Sequence, residues 1–142
     1  MREAGPDGYW VSDDPALLDV ELVFRWISEQ SYWAKGRSHP AMLRAIENSL
    51  NFGLYAADGS QAGFARYVTD RATFAWLCDV FVDPEHRGHG LGSFFMRVVT
   101  GHPDVAAIRQ VLSTAPERTL YRQYGFDNLR APERWQERPP AS

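Results

Sequence analysis

The feature that most constrains this chain is a cluster of glycines, Arg87-Gly88-His89-Gly90-Leu91-Gly92, set between an apolar run and an amphipathic one. Upstream, residues 73–82 are nearly all apolar or aromatic and predict a central strand buried on both faces, in which the single charge, Asp79, stands out. Downstream, Leu91, Phe95 and Val98 recur at helical spacing until Gly101-His102-Pro103 stops the helix. A strand that passes through a glycine turn into a helix N-terminus leaves several backbone N–H groups uncovered. It aims them, with the positive end of the helix dipole, at one point. Such a turn can hold a diphosphate by backbone alone, and Arg87 adds charge at its rim.

Spacing excludes two other phosphate loops. A Walker loop ends in Gly-Lys-Ser/Thr, whereas Gly92 is followed by Ser93 with no lysine. A dinucleotide fingerprint is G-x-G-x-x-G, whereas this chain reads G-x-G-x-G with Ser93 at the third glycine's place. A plain tight turn between strand and helix remains the structural alternative, but it needs fewer glycines and no arginine.

The rest of the chain predicts a sheet around this turn. Residues 9–12 read as a first strand, and Asp13-Asp14-Pro15 as the start of a helix that runs to about Gln30 with Leu17, Val20, Phe24 and Ile27 on one side. A loop at 31–39 carries Tyr32, Trp33, Lys35 and Arg37, and a second helix follows at 40–48. Residues 52–57 and 63–68 read as strands joined by the hairpin signal Asp58-Gly59. Residues 107–112 read as another strand. Thr114-Ala115-Pro116-Glu117 then has capping-box spacing and predicts a short helix through Leu120, Tyr121 and Tyr124, closed by Gly125. A final short strand fits at 126–129, while 130–142 holds three prolines and no periodicity, so it is expected to be irregular. The expected fold is one α/β (α+β) domain over residues 1–142, with a mixed sheet and helices on both faces. A right-handed crossover would place the glycine turn at the C-terminal end of a strand, the preferred ligand position in open α/β sheets.

Composition narrows the partners. A chain of 142 residues that is 44% hydrophobic can bury one ordinary core. A formal charge of −3 argues against nucleic acid, whose binders carry a basic face. No apolar window approaches the ~18 residues of a membrane span, and the N-terminus lacks a signal-peptide h-region, so a cytoplasmic protein is expected. Cys78, the one cysteine, excludes an internal disulfide and reads as a buried thiol. The histidines, His39, His86, His89 and His102, show no ligand-like pairing, and no metal is expected.

Arg87, Gly90 and Gly92, the preceding Val82-Asp83-Pro84, and the later Tyr121, Gly125 and Phe126 together resemble the GNAT superfamily of N-acetyltransferases. The resemblance covers about residues 50–129. It implies that acetyl-CoA is the co-substrate, with backbone N–H groups of Arg87, Gly88, His89, Gly90, Leu91 and Gly92 on its diphosphate. Phe81 and Val82 would pair their backbone with its pantetheine arm, admitted by a splay between this strand and the one at 107–112. The thioester would then lie beside Asp79 and Tyr121. Tyr121 is the implied acid for the departing sulfur. Asp79 is either a base that also attracts a cationic acceptor or a carboxylate hydrogen-bonded to a neighbouring loop.

Trp33 and Arg37, with Lys35, sit where members of the family line the acceptor site, although such a loop can equally just cover the sheet. Arg66, Tyr67 and Asp70 are weaker candidates of the same kind. The implied activity is acetylation of a primary amine on a small molecule, amino acid or peptide. The alternatives are a non-catalytic acyl-CoA sensor, or transfer of another acyl chain or to a hydroxyl. The family usually closes its sheet with a further hairpin, and the short C-terminal edge here leaves room for a strand-paired homodimer.

Overall fold

A computed structural model describes residues 1–141. Six strands form one sheet in chain order: β1 (Arg2–Ala4), β2 (Trp10–Ser12), β3 (Leu50–Tyr55), β4 (Gln61–Thr69), β5 (Phe74–Val82) and β6 (Arg109–Val111). Neighbours are antiparallel as far as β5, and β6 returns parallel to β5 after the last of three helices. These helices are α1 (Val20–Arg25), which continues as a π-helical turn at Trp26–Gln30, α2 (His39–Glu47) and α3 (Leu91–Thr100).

The mixed sheet expected from the sequence is present, with helices on both faces. In β4, Ala65 and Tyr67 join Leu91, Phe95 and Val99 of α3, whereas Phe64 joins Val23, Trp26, Ile27, Met42 and Ile46 on the opposite face. This is the period-two alternation of a strand buried between two layers. Local signals set the element ends. Ser38 Oγ accepts from the Ala41 N–H at 3.3 Å to start α2, with Pro40 in its first turn. Asp58 and Gly59 (φ +90°) turn β3 into β4.

Several expectations are corrected. The first helix does not start at Asp13-Asp14-Pro15. Asp14 caps only a 3-10 turn, Pro15–Leu17, after which the chain reopens and Asp19 caps α1 by accepting the Leu22 N–H at 3.1 Å. The Asp19 N–H is held by Gln61 Oε1 at 2.7 Å, a long-range bond that a local reading of caps does not contain. Strand β1 lies before the expected first strand. It is exposed throughout, so it has no apolar pattern, and the turn at Pro6–Gly8 folds it onto β2.

Strand β5 is not buried on both faces along its length. Trp76 is 43% exposed and its cross-strand partner Val68 is 41% exposed, because α1 and its π turn cover the Phe81 end and leave the Trp76 end open. The capping-box pair Thr114 and Glu117 caps no helix. A lone turn forms there, and the helical segment shrinks to a 3-10 stretch at Leu120–Tyr124. Residues 126–129 form no strand. The Phe126 N–H bonds back to the Tyr121 carbonyl at 3.3 Å, and the tail lays Trp135 against Phe74, with ring centroids 6.2 Å apart.

Candidate active site

Strand β5 outruns its partner. Phe74, Ala75 and Trp76 pair with Arg109, Gln110 and Val111, where β6 ends, while β5 continues to Val82. Residues 77–82 therefore present a backbone edge with no β6 strand beside it. Gln110 pins β6 in place, with its Nε2–H groups donating to Thr100 and Val105 carbonyls while its Oε1 accepts from the buried Tyr67 hydroxyl at 2.5 Å. Tyr67 thus belongs to the core. Asp70 closes the β4–β5 turn by accepting from the N–H groups of Ala72 and Thr73.

Within the open stretch the β4–β5 register slips. Phe64 pairs with Phe81 but Arg66 with Cys78, so β5 holds one residue more than β4 across this interval. Asp79 adopts φ +54°, a left-handed conformation that Asp tolerates better than most residues. The bulge resets the alternation so that Phe81 stacks on Trp26 at 5.3 Å, while Val80 and Val82 pack on the α3 side.

Beyond Val82 the chain makes a 3-10 turn, Pro84–His86, and enters the glycine cluster. Gly88 (φ +99°) and Gly90 (φ +70°) are left-handed, and Gly90 is the N-cap of α3 with no side-chain cap. A Cβ built at Gly88, Gly90 or Gly92 would meet no atom within 4 Å. The first-turn N–H groups of this ten-residue helix receive no side-chain cap, and the space beside the glycines is open. Arg87 curls back, with Nε donating to the Val82 carbonyl at 3.2 Å. A brace that the sequence did not signal holds this loop. The Tyr9 hydroxyl bonds to His86 Nδ1 at 2.8 Å, its ring lies 5.6 Å from that of His89, and His89 Nδ1 is 3.3 Å from Asp7 Oδ2.

At the bulge, Asp79 is 3% exposed and fully engaged. Its Oδ2 accepts from Arg37 Nη1 and Arg66 Nε, each at 2.6 Å, and its Oδ1 accepts from Trp33 Nε1 at 2.9 Å. Burial pushes the carboxyl pKa up, but the hydrogen bonds and charges of Arg37 and Arg66 outweigh it, so the group titrates below its usual value. Burial pushes the Cys78 thiol up to about 11, which keeps it a thiol at neutral pH.

Tyr121 packs half-buried against the core with Phe126, their rings 6.3 Å apart. Burial raises its phenol pKa and the nearby Arg118 partly offsets the rise. Arg118 also lies 5.9 Å from the Tyr32 ring, which meets Trp33 edge-on at 5.1 Å. The expected residues Trp33, Arg37 and Asp79 are thus in contact, and Tyr121 is linked to them through Arg118 and Tyr32. Arg118 was not anticipated, because nothing in its local sequence distinguishes it from a solvated charge. Next to Arg66, between α2 and β4, runs a groove of about 610 Å³ lined by Ala41, Arg44, Asn48, Ser49, Arg66 and Val68 among others.

Comparison with known proteins gives this fold its class. The acetyltransferase (GNAT) domain family matches residues 49–128, so the chain belongs to the GNAT acetyltransferases. A crystal structure of a GNAT-family protein from Xanthomonas campestris pv. campestris superposes with a TM-score of 0.89 at 42% identity, covering 96% of each chain. A curated relative from Gibberella zeae, described as a candidate acetyltransferase, is 33% identical over 109 residues, which span 64% of this chain and 62% of that protein. A Clostridium acetobutylicum structure described as an acetyltransferase with acetyl-CoA shares the fold, with a TM-score of 0.63 at 15% identity over 98% of this chain and 96% of that one. Among the described residues no helix is long and apolar enough to cross a membrane.

Proposed function

We propose that the protein transfers the acetyl group of acetyl-CoA to a primary amine within a ternary complex. The observation that carries this reading is the continuity of two open features: the unpartnered β5 edge at 77–82 runs directly into the glycine cradle. A β-edge suits an amide-bearing pantetheine arm, because the arm can add to the sheet as a strand would. The cradle suits a diphosphate, because its helix N-terminus has no side-chain cap and the space beside its glycines is open. Phe81 and Val82 supply edge backbone, and Arg87, Gly88, His89, Gly90, Leu91 and Gly92 form the cradle. Acetyl-CoA, when bound, supplies an activated thioester.

This chain's residues do the rest. A backbone N–H near Val82 would stabilise the negative charge that develops on the carbonyl oxygen. Tyr121 stays protonated at neutral pH and can give its proton to the departing sulfur. Asp79, with three donors on its two oxygens, has the geometry of an anchor for the α1–α2 loop rather than of a base. The acceptor therefore enters as free amine, and Trp33 and Arg37 line its approach. Two measurements test the proposal. Acetyl-CoA should raise the melting temperature by mass action, and adding amines should release CoA thiol. Binding without thiol release from any amine would leave a non-catalytic acyl-CoA sensor as the better reading.

A further inference from the structure

We infer that the groove between α2 and β4 is a binding site for a small organic anion, a carboxylate or phosphate on an apolar body, held by Arg44 and Arg66. Both arginines border the same cavity of about 610 Å³, a volume in the range of small-molecule sites. Packing explains why it is open. Met42 and Ile46 turn one side of α2 onto Phe64, whereas Ala41 and Ala45 border the groove with side chains too short to fill it. Val68, on the facing strand, is left 41% exposed, and the open face continues onto its cross-strand partner Trp76.

The charge of the groove is one-sided. Two guanidiniums and no carboxylate line it, in a chain whose formal charge is −3. Arg66 is held in place. Its Nε donates to Asp79 Oδ2 at 2.6 Å and its Nη1 to Ser49 Oγ at 3.0 Å, while that hydroxyl donates to the Ala45 carbonyl at 2.6 Å. The Nη2 donors of Arg66 have no partner among the described residues, and they are not sealed from solvent. The side chain is 9% exposed, and the space it borders is the groove. A guanidinium already fixed at two nitrogens loses little freedom when the third takes an anionic oxygen. Asp79 does not cancel this charge, because the same Oδ2 also accepts from Arg37. Arg44, exposed on α2, has no ion-pair partner among the described residues, and Glu47 one turn further on does not reach it. A cleft of a single sign concentrates the opposite charge, and planar guanidiniums match carboxylate or phosphate oxygens. The alanines and Val68 give the rest of the ligand an apolar wall. None of these residues belongs to the glycine cradle or contacts Tyr121, so the site stands whether or not acetyl transfer is the chemistry.

The test uses the full chain and probes of similar size: 3-phenylpropionate, phenyl phosphate, the neutral 3-phenylpropionamide and the cationic 3-phenylpropylamine. Titrations followed by amide proton–nitrogen correlation spectra give both Kd and location. The amides of Ala41, Ala45 and Val68 should shift with the anions. At least one anion should bind about ten-fold or more tightly than the neutral and cationic probes, the scale of one charge-assisted hydrogen bond. Added salt should weaken it. Which anion prevails separates carboxylate from phosphate. Arg44→Met should weaken that anion about five- to ten-fold and leave the neutral probe unchanged, and Arg44→Lys should restore part of the loss. Ala45→Leu puts bulk into the groove at no cost in helix propensity worth noting, and should weaken the anion several-fold or more. Arg66 is kept intact in these variants, because removing it strands the buried Asp79 carboxylate. Gly92→Ala should leave anion binding unchanged, which separates the groove from the cradle. Equal affinity for anion and neutral probe, tighter binding of the amine, or undiminished binding in Arg44→Met or Ala45→Leu overturns the inference. So do shifts confined to residues 87–92, or no binding of either anion at millimolar concentration.

Discussion

Arg66 and Asp79 meet across the β4–β5 pair at 2.6 Å although they are not register partners, since Arg66 pairs with Cys78 and Asp79 is the residue that the bulge inserts. The bulge is what brings the carboxylate within reach of Arg66, Arg37 and Trp33 together. One residue thus ties β4, β5 and the α1–α2 loop, the segment that carries Trp33 and Arg37.

Asp79→Asn should lower stability by about 3 kcal/mol, the scale of breaking a buried ion pair from one side. Asn tolerates the left-handed conformation, so the backbone is not the cause. The acid dependence follows from the same contacts. Because the folded carboxyl titrates below its unfolded value near 3.9, its contribution is complete above that value and is lost as pH falls through the folded one. Urea midpoints from pH 6 down to pH 2 should fall more steeply for wild type than for Asp79→Asn. Parallel curves would mean that the carboxylate anchors nothing.

Gly92→Ala separates fold from ligand. Gly92 lies in the first turn of α3, its Cβ would meet no protein atom, and its φ is not in the left-handed range. Alanine should therefore stabilise the free protein by up to about 1 kcal/mol through helix propensity. The added methyl stands in the cradle, however, so the rise in melting temperature produced by acetyl-CoA should shrink. Differential scanning fluorimetry with and without acetyl-CoA reads both effects, and an undiminished ligand shift would move the diphosphate elsewhere.

Tyr9→Phe removes the hydroxyl bonded to His86 and keeps the ring beside His89. The expected stability loss is about 1 kcal/mol, one ordinary hydrogen bond. The loop that carries Gly88 and Gly90 loses part of its brace, so acetyl-CoA affinity should weaken several-fold with kcat nearly unchanged. Titration calorimetry checks the first and saturating-donor kinetics the second.

What the sequence made legible was local or periodic. The glycine cluster, the end of α3 at Gly101 and the Asp58-Gly59 hairpin all follow from signals within a few residues, and the structure has them. The parallel β5–β6 return was also legible, because a strand, a helix and a strand allow little else. The misses depended on distant contacts. Gln61 holds the Asp19 cap where α1 starts, exposed β1 owes its existence to pairing alone, and the helix expected from residue 114 forms only as a 3-10 stretch at Leu120–Tyr124 packed on the core. In the site, Trp33, Arg37 and Asp79 were separately visible. That Asp79 would occupy a bulge and saturate its oxygens with their donors was not, since a register slip leaves no mark in a run that is uniformly apolar around it.

Tyr121→Phe bears most directly on the chemistry. The ring sits among core residues and against Phe126, so its packing should survive and the melting temperature should change little. Positioned acids contribute roughly 10²–10⁴-fold in rate. A thiolate already leaves readily, so the loss in kcat should fall at or below the lower end of that range, with acetyl-CoA affinity near wild type. The pH profile adds a second readout. Burial holds the phenol above its ordinary value of 10.0, so it remains a proton donor across the neutral and mildly alkaline range. Wild-type kcat should therefore rise with pH as the acceptor amine deprotonates and show no alkaline fall below about pH 10, the free phenol value. Tyr124→Phe serves as the control. Its hydroxyl donates to Ser93 Oγ at 2.6 Å at the rim of the cradle, so its loss should leave kcat alone. Full activity in Tyr121→Phe removes the acid assignment, and a lowered melting temperature in the same variant would instead mark Tyr121 as a core residue whose hydroxyl is needed for packing.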